Sequence, residues 1–447
     1  MPIVAQSPTT TPSVVNLSPS GDATGNTDTA AIQAANNTCV AKGGGTVALG
    51  SGKFTVNAQL KIYPNVTLIG QGNGYDQAGS FYGTAILSTF NGSCILVQQD
   101  ARLSTFVRLS NFALFGSSSL TSQNGIEWST AGGAQVSDSI VENVVVILMG
   151  QHGFYLNANA SKIQSVNCWI EFCGKAAIKD VRNNTGSFAI ANVIIRSCTD
   201  GYDGSTAGFV VVDIVNANID TLTGVGIKAP GNFSAISVVG GWIHSCAGGG
   251  VSLPADANQI SIEGTQFKSN GTSSVAQLFG SPSTNQSSQV QVRARFQDTR
   301  TGGANVVNHV TLAASAAAQV VIDGCTFYGS QSDAVGWTSR SSNKIMVRSC
   351  LGYNDVKGAI STPFAASNRI GAAGTTATPT ASTVYTVEGT DLMLAVSGGT
   401  GVSITIADAA GNTVQSGLTS YSGVLPIGYS INLGGFSVAP TIYAGVV

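Results

Sequence analysis

Seven segments of this chain line up on one small polar residue: Asn167, Asn192, Asn216, Gly240, Gly264, Gly324 and Ser349. Their spacings are 25, 24, 24, 24, 60 and 25 residues. The apolar residue that restarts each segment, Ile178, Tyr202, Ile227, Val251, Val275, Val335 and Ile360, keeps nearly the same series: 24, 25, 24, 24, 60 and 25. Less regular earlier units hold Asn111 with Ile126 and Asn143 with Phe154. A period near 24, carried by β-branched runs with Gly, Asn and Ser corners, predicts a solenoid of β-strand coils in which each coil buries its inner face on its neighbours. No L-x-x-L-x-L-x-x-N frame persists, which argues against leucine-rich repeats of similar period.

Strand residues point in and out by turns, so each unit can be read by columns. Three places after the landmark stand Ile170, Ile195, Ile219, Ile243, Phe267, Phe327 and Gly352, an inward column. One place after it stand Cys168, Val193, Ala217, Gly241, Thr265, Cys325 and Cys350, also inward but small. Cys173, Cys198 and Cys246 make a further column at the next corner. Most of the eight cysteines are therefore expected to be compact core fillers. No CxxC pair occurs and no Cys/His spacing suits zinc, so neither a metal nor a cofactor is expected.

Only 9% of residues are charged, net charge is −2, and glycine reaches 55 residues. Without a basic stripe to neutralise phosphates, nucleic acid and anionic membrane are poor partners, whereas a neutral hydroxyl-rich surface suits carbohydrate. No run of eighteen apolar residues predicts a membrane span. "MPIVAQSPTTTPSVVNLSPSG" has neither the basic nor the apolar region of a signal peptide. Residues 1–19 are expected to be a flexible or docking arm.

Residues 21–72, "GDATGNTDTAAIQAANNTCVAKGGGTVALGSGKFTVNAQLKIYPNVTLIGQG", carry three motifs in order. They resemble the G-D-G-x-x-D-D-T-x-A-I-Q-x-A, G-G-x-V-x-L-P-x-G-x-Y and N-V-x-L-x-G-x-G of the pectate-lyase-like right-handed parallel β-helices. Ala23, Thr27, Gly50 and Phe54 depart from that pattern, as does one extra turn residue. The resemblance and the repeat together predict an all-β, right-handed, single-stranded parallel β-helix over 20–361, opened by the 20–72 module. Thr27 or Asp28 is expected to cap a short helix, Ala30 to Ala41, closing the first coil. A linker at 362–373 and a C-terminal β-sandwich-like module at 374–447, with short alternating strands and Gly-Asn turns, complete the chain. That module's few charges, Glu388, Asp391 and Asp408, suit trimer clamping or receptor contact better than catalysis.

The same superfamily holds pectate lyases, polygalacturonases and trimeric bacteriophage tailspikes, so fold alone does not fix function. The lyase R-x-P-x-x-R is missing, "NTD" at 26–28 sits in the cap, and "QHG" at 151–153 lacks the paired Asp-Asp of polygalacturonases. The resemblance is greatest to tailspikes. It implies a homotrimer that binds and depolymerises a bacterial surface polysaccharide, held outside the cell on a phage tail and docked through the N-terminal arm. A non-catalytic adhesin or structural fibre, and a free polysaccharide lyase or hydrolase, are the competing readings.

Four places after the landmark, facing outward, stand Glu171, Arg196, Asp220, His244, Lys268, Tyr328 and Tyr353. Two places after it stand Trp169, Ile194, Asn218, Trp242, Gln266, Thr326 and Leu351. Tryptophans flanking a charged file are what a groove for sugar rings requires. Glu171 and Asp220, two coils apart, would hold carboxylates roughly 9–10 Å apart, at the upper edge of the window for inverting glycosidases. Arg196 between them would keep both ionised, which leaves His244 as an alternative proton donor. The candidate catalytic residues are thus Glu171, Asp220 and His244, with Trp169, Arg196, Trp242 and Lys268 binding substrate. The same file also reads as an ion-pair ladder on a solvated face. Between Val275 and Val335 the period exceeds two coils by 12 residues, in a stretch, 276–322, whose Arg293, Arg295, Asp298 and Arg300 precede His309. Arg293, Arg295 and Asp298 are read either as a clamp for acidic sugars or as a solvated inserted loop. "DGYD" at 200–203 reads as an exposed corner. Val166, Ala191, Val215 and Val239 form a narrow apolar file before the landmark.

Overall fold

The computed structural model describes residues 13–75, 81–99, 106–130, 138–157, 160–183, 186–231, 234–254, 259–272, 274–280, 289–300, 308–313, 319–329, 335–339, 345–348, 350 and short stretches within 376–446. The expected linker, Ser349, Tyr353 and Ile360 lie outside the described residues. Two compact units divide the chain at Gly248/Gly249. This is a parallel β-helix.

In the first unit the landmark is a bend in the backbone. Asn111, Asn143, Asn167, Asn192 and Asn216 all adopt left-handed conformations, with φ between 51° and 59°. Asparagine is one of the few residues with a side chain that tolerates this region. The bend also carries side-chain bonds from coil to coil. Asn216 Nδ2 donates to Asn192 Oδ1 at 2.9 Å, Asn192 Nδ2 to Asn167 Oδ1 at 3.3 Å, and Asn143 Nδ2 to Asn111 Oδ1 at 3.1 Å. Five residues on, a second left-handed column turns the chain again at Leu148, Phe172, Ser197, Thr221 and Ser245. Its backbone N–H groups of Phe172, Ser197 and Thr221 donate to the carbonyls of Arg196, Asp220 and His244 in the next coil.

Between the bends run three parallel faces. One stacks Ile163–Val166, Ser187–Ala191, Val211–Val215 and Ala235–Val239. The next stacks Trp169–Glu171, Ile194–Arg196, Asn218–Asp220 and Trp242–His244. The third stacks Phe154–Leu156, Ala176–Asp180, Asp200–Asp203 and Ile227–Lys228. Ile170, Ile195, Ile219 and Ile243 fall in register, all buried, so the inward column is one continuous stack. Each such isoleucine contributes about 1.5–3 kcal/mol by leaving water. Seven of the eight cysteines are buried, Cys350 is half-buried, and all are free thiols.

The described part of the expected arm belongs to the solenoid. Ser13–Leu17 pairs in parallel with Gly45–Leu49 along its whole length, protecting the first coil's edge. The helix runs Asn26–Ala41, one turn earlier than expected, and Gly25 rather than Thr27 or Asp28 occupies its N-cap. Asp28 is buried and accepts from the backbone N–H groups of Ser20 and Thr55, tying helix to strand. "DGYD" is a strand and no corner: Asp200 is buried and accepts from Val225 N–H and Lys228 Nζ, and Asp203 pairs with Lys179. Beneath it Arg182 grips Asp180 through Nε and Nη2 at 2.9 and 2.7 Å, and Tyr202 donates to the same carboxylate at 2.9 Å.

In the second unit Val251–Leu253, Leu278–Gly280, Val310–Ala313 and Val335–Ser339 stack as one parallel face. Leu278, not Val275, therefore restarts its coil. The stretch Gln289–Gln297 is no inserted loop but a strand that buries Val290, Val292, Ala294 and Phe296. Lys268, Gln297 and Tyr328 are successive rungs, 29 and 31 residues apart, so the extra 12 residues are shared by two coils. Phe267, Phe296 and Phe327 stack ring on ring at 4.7 and 5.3 Å, continuing an inward column. The C-terminal module comprises two four-stranded antiparallel sheets around Ile404, Ile406, Leu425, Ile431 and Leu433, matching the expected β-module.

Replacing Asn192 by Val places a β-branched residue in the left-handed region and removes two ladder bonds, an expected loss of about 2–3 kcal/mol. Asn192→Gly, which loses the same two bonds but is free to adopt the bend, should lose measurably less. Urea unfolding of both variants checks this, and equal losses would contradict it.

Candidate functional site

The outward positions of the four strands Trp169–Glu171, Ile194–Arg196, Asn218–Asp220 and Trp242–His244 make a strip two columns wide. One column is Trp169, Ile194, Asn218 and Trp242, and the other is Glu171, Arg196, Asp220 and His244, as the alternation dictates. At one end Trp169 packs on an outer apolar cluster of Ala85, Ala113, Phe115, Val145 and Ile147. At the other, Trp242 is 44% exposed and lies edge-on to His244, with ring centroids 6.1 Å apart. Three rungs separate the tryptophans, about 14 Å along the stack.

Two open clefts follow this strip. The first, about 400 Å³, is lined by Asn73, Gly74, Val145, Asn167, Trp169 and Ile194. The second, about 460 Å³, is lined by Asn192, Ile194, Asn216, Asn218, Gly241 and Trp242. The asparagine bend thus forms one wall of both, supplying amide donors and acceptors. Sequence columns miss Asn73 and Gly74, which reach the cleft from an antiparallel hairpin of Asn73–Tyr75 on Phe81–Ser88. Asn73 Nδ2 anchors it by donating to the Asn143 carbonyl at 2.7 Å. The run "QGNGY" is the available turn signal.

Within the charged column the expected ladder forms only in part. His244 Nδ1 lies 3.1 Å from Asp220 Oδ1, and Arg196 Nε lies 3.6 Å from Asp220 Oδ2. Thr221 Oγ1 also donates to Asp220 Oδ1, at 2.5 Å. Glu171, one rung from Arg196, is 8% exposed. Its carboxyl is pushed above the usual range chiefly by burial; the Arg196 charge and the Trp169 indole pull the other way and do not offset it. Arg196 therefore does not act on both carboxylates alike. It pairs with Asp220, while burial favours the protonated form of Glu171.

The remaining expected site residues lie in the second unit. Lys268 is exposed at the end of Gln259–Lys268. Arg293 and Arg295 are exposed on Gln289–Gln297 and line a cleft of about 430 Å³ with Glu263, Gln266 and Thr326. Asp298 cannot share their role: it is 1% exposed and is gripped by Arg300 through Nε at 2.9 Å and Nη2 at 2.6 Å. His309 is also buried, against Phe296 and Phe327, with Nδ1 2.8 Å from Gln277 Nε2. Among the described residues no cluster of three or more His, Cys, Asp or Glu could hold a metal ion, and no helix is long and apolar enough to cross a membrane.

No family model and no curated protein matches this chain. Among solved structures it is similar to the A-module of the mannuronan C-5 epimerase AlgE6 of Azotobacter vinelandii, at 16% identity over 72% of this chain and 94% of that one, TM-score 0.47. Geobacillus virus E2 ORF18 is similar at 15% identity over 89% and 74%, TM-score 0.47. The enzymatically active domain of bacteriophage CBA120 tailspike protein 4 is similar at 11% identity over 94% and 66%, TM-score 0.45.

A carboxyl raised in the folded state binds its proton more tightly there than in the unfolded chain. Glu171 thus costs nothing well below its ordinary value of 4.5 and costs progressively more as pH rises through its folded value. Glu171→Gln should gain in melting temperature relative to the native chain as pH is raised from about 4 to about 7. A constant offset across that range would contradict the shift.

Proposed function

We propose that this chain binds a polysaccharide along the strip from Trp169 to Trp242 and cleaves it by hydrolysis. The observation that carries the reading is the asymmetry of the two carboxyls on one outer column: Glu171 buried with its carboxyl raised, Asp220 held by Arg196, His244 and Thr221. A sugar chain lying along the stack would place rings against Trp169 and Trp242, with the Asn167, Asn192 and Asn216 amides meeting its hydroxyls. Glu171 would protonate the glycosidic oxygen. Asp220 would take the proton of a water attacking the anomeric carbon from the opposite side. Two rungs of separation, about 9–10 Å, leave room for that water and suit inversion rather than a covalent intermediate.

The resemblance of residues 21–72 to the opening module of pectate-lyase-like β-helices, a superfamily that includes tailspikes, together with the C-terminal β-module, supports a homotrimer carried on a phage tail, facing a bacterial surface polysaccharide. The exposed Val215 and Val239, in one column with Val166 and Ala191, offer a narrow apolar file for subunit contact. Docking through residues 1–12 falls outside the described residues. Sedimentation at micromolar concentration should give a trimer; a stable monomer would contradict the assembly.

Host capsule or lipopolysaccharide incubated with the protein, assayed for new reducing ends and for the ultraviolet absorbance of unsaturated products, tests the chemistry. Glu171→Gln should lower reducing-end release about 10²–10⁴-fold with KM little changed, and Trp169→Ala with Trp242→Ala should weaken binding about tenfold. Full cleavage by both Glu171→Gln and Asp220→Asn would remove this site. Binding lost in the tryptophan variant, without cleavage by the native chain, would identify an adhesin.

A further inference from the structure

From Gly240 onward, into the second unit, the asparagine column gives way to glycine. Gly264 and Gly324 take the left-handed bend, at φ 66° and 62°, and the strand between them, Gln289–Gln297, runs straight through without one. Where the first unit carries a ladder of amides, this unit has an open cleft of about 430 Å³. Its register sets Arg293 beside Glu263, and Arg295 between Gln266 and Thr326. Arg293 extends across Gly324: a Cβ there would lie 3.2 Å from Arg293 Nε, so any side chain at 324 would crowd the guanidinium. Among the described residues neither Arg293 nor Arg295 forms an ion pair, and Glu263, on the cleft's edge, pairs with neither. By contrast Arg300, on the same coil, spends its donors on Asp298 and on the carbonyls of Gly271 and Asn270.

We infer that this cleft binds the carboxylate of an acidic sugar, which makes the substrate an acidic polysaccharide; the inference rests on reading the chain as a polysaccharide binder. Two outward arginines two residues apart on one strand have Cα atoms about 7 Å apart, within reach of one ligand group. That spacing lets one or both fork onto a carboxylate in the bidentate manner a lysine cannot reproduce. Gln266 and Thr326 stand at hand for neighbouring hydroxyls, and Glu263 rejects a second anion on its side of the cleft. Because the whole chain carries a net charge of −2, attraction of a polyanion must come from such a local feature.

The test is the affinity of the full chain for immobilised hyaluronan, which bears carboxylates, for dextran sulfate, and for neutral dextran, at about 10 mM salt where exposed charges are little screened. The native chain should bind hyaluronan more tightly than dextran. Arg293→Gln with Arg295→Gln should erase that excess, about tenfold, while Arg293→Lys with Arg295→Lys keeps only part of it. Equal affinity of the native chain for hyaluronan and dextran overturns the inference, as does an excess that the glutamine pair leaves intact. An excess confined to dextran sulfate overturns the carboxylate assignment. Trp169→Ala with Trp242→Ala separates the two readings: it should weaken hyaluronan and dextran alike. If it weakens neither while the glutamine pair erases the excess, the strip fails and the cleft stands.

Discussion

Everything in this molecule is hung on a backbone conformation that most residues avoid. Twice in each regular coil the chain enters the left-handed region, at the asparagine or glycine landmark and again five residues later. Those two bends set the angles between faces, and they hold three-residue strands such as Ile194–Arg196 in register with their neighbours. The cost of each bend, about 1 kcal/mol or more for a residue with a side chain, is offset by what the bent residue then does. Its N–H bonds to the next coil, and where it is asparagine its amide bonds to the next amide. Local strain and long-range stacking are thus one device.

From that device the strip follows. A short strand between two fixed bends has three residues, the middle one inward and the outer two outward, so every coil presents two side chains to the same surface. Stacking multiplies them into columns, which is how Trp169 and Trp242 come to frame one surface and how Glu171, Arg196, Asp220 and His244 come to share a file. Burial differs along the file. Glu171 stands one rung from Ile147 of the outer apolar cluster, and Asp220 sits among its own polar neighbours. One column supplies two unlike carboxyls.

The parts of this legible in sequence are those that a period and an alternation determine. The landmark column, the Ile170 to Ile243 stack, the cysteine fillers and the helical cap are all local or repeated signals. What the alternation leaves open is what lies across from a side chain. Asp298 and Arg300 read as members of an arginine cluster, yet one is buried and spent on the other. Asp200 and Asp203 read as turn residues because aspartates flank a glycine there, and burial with lysine partners from adjacent coils overrides that composition. The strand Ser13–Leu17 is hidden in a polar segment whose pairing partner lies 32 residues away by way of a helix. Asn73 reaches the strip from a hairpin that no repeat announces.

The stacked cysteines carry a chemical consequence of their own. Oxidation and thiol exchange proceed through the thiolate; burial pushes the Cys94 thiol up to about 12 and raises Cys168 and Cys246, and the neighbouring Cys198 sulfur, with burial, raises Cys173. A chain with this many sulfhydryls would ordinarily tarnish in air, cross-linking or scrambling as it aged. Buried in the interior, these thiols are held in the protonated form that reacts least.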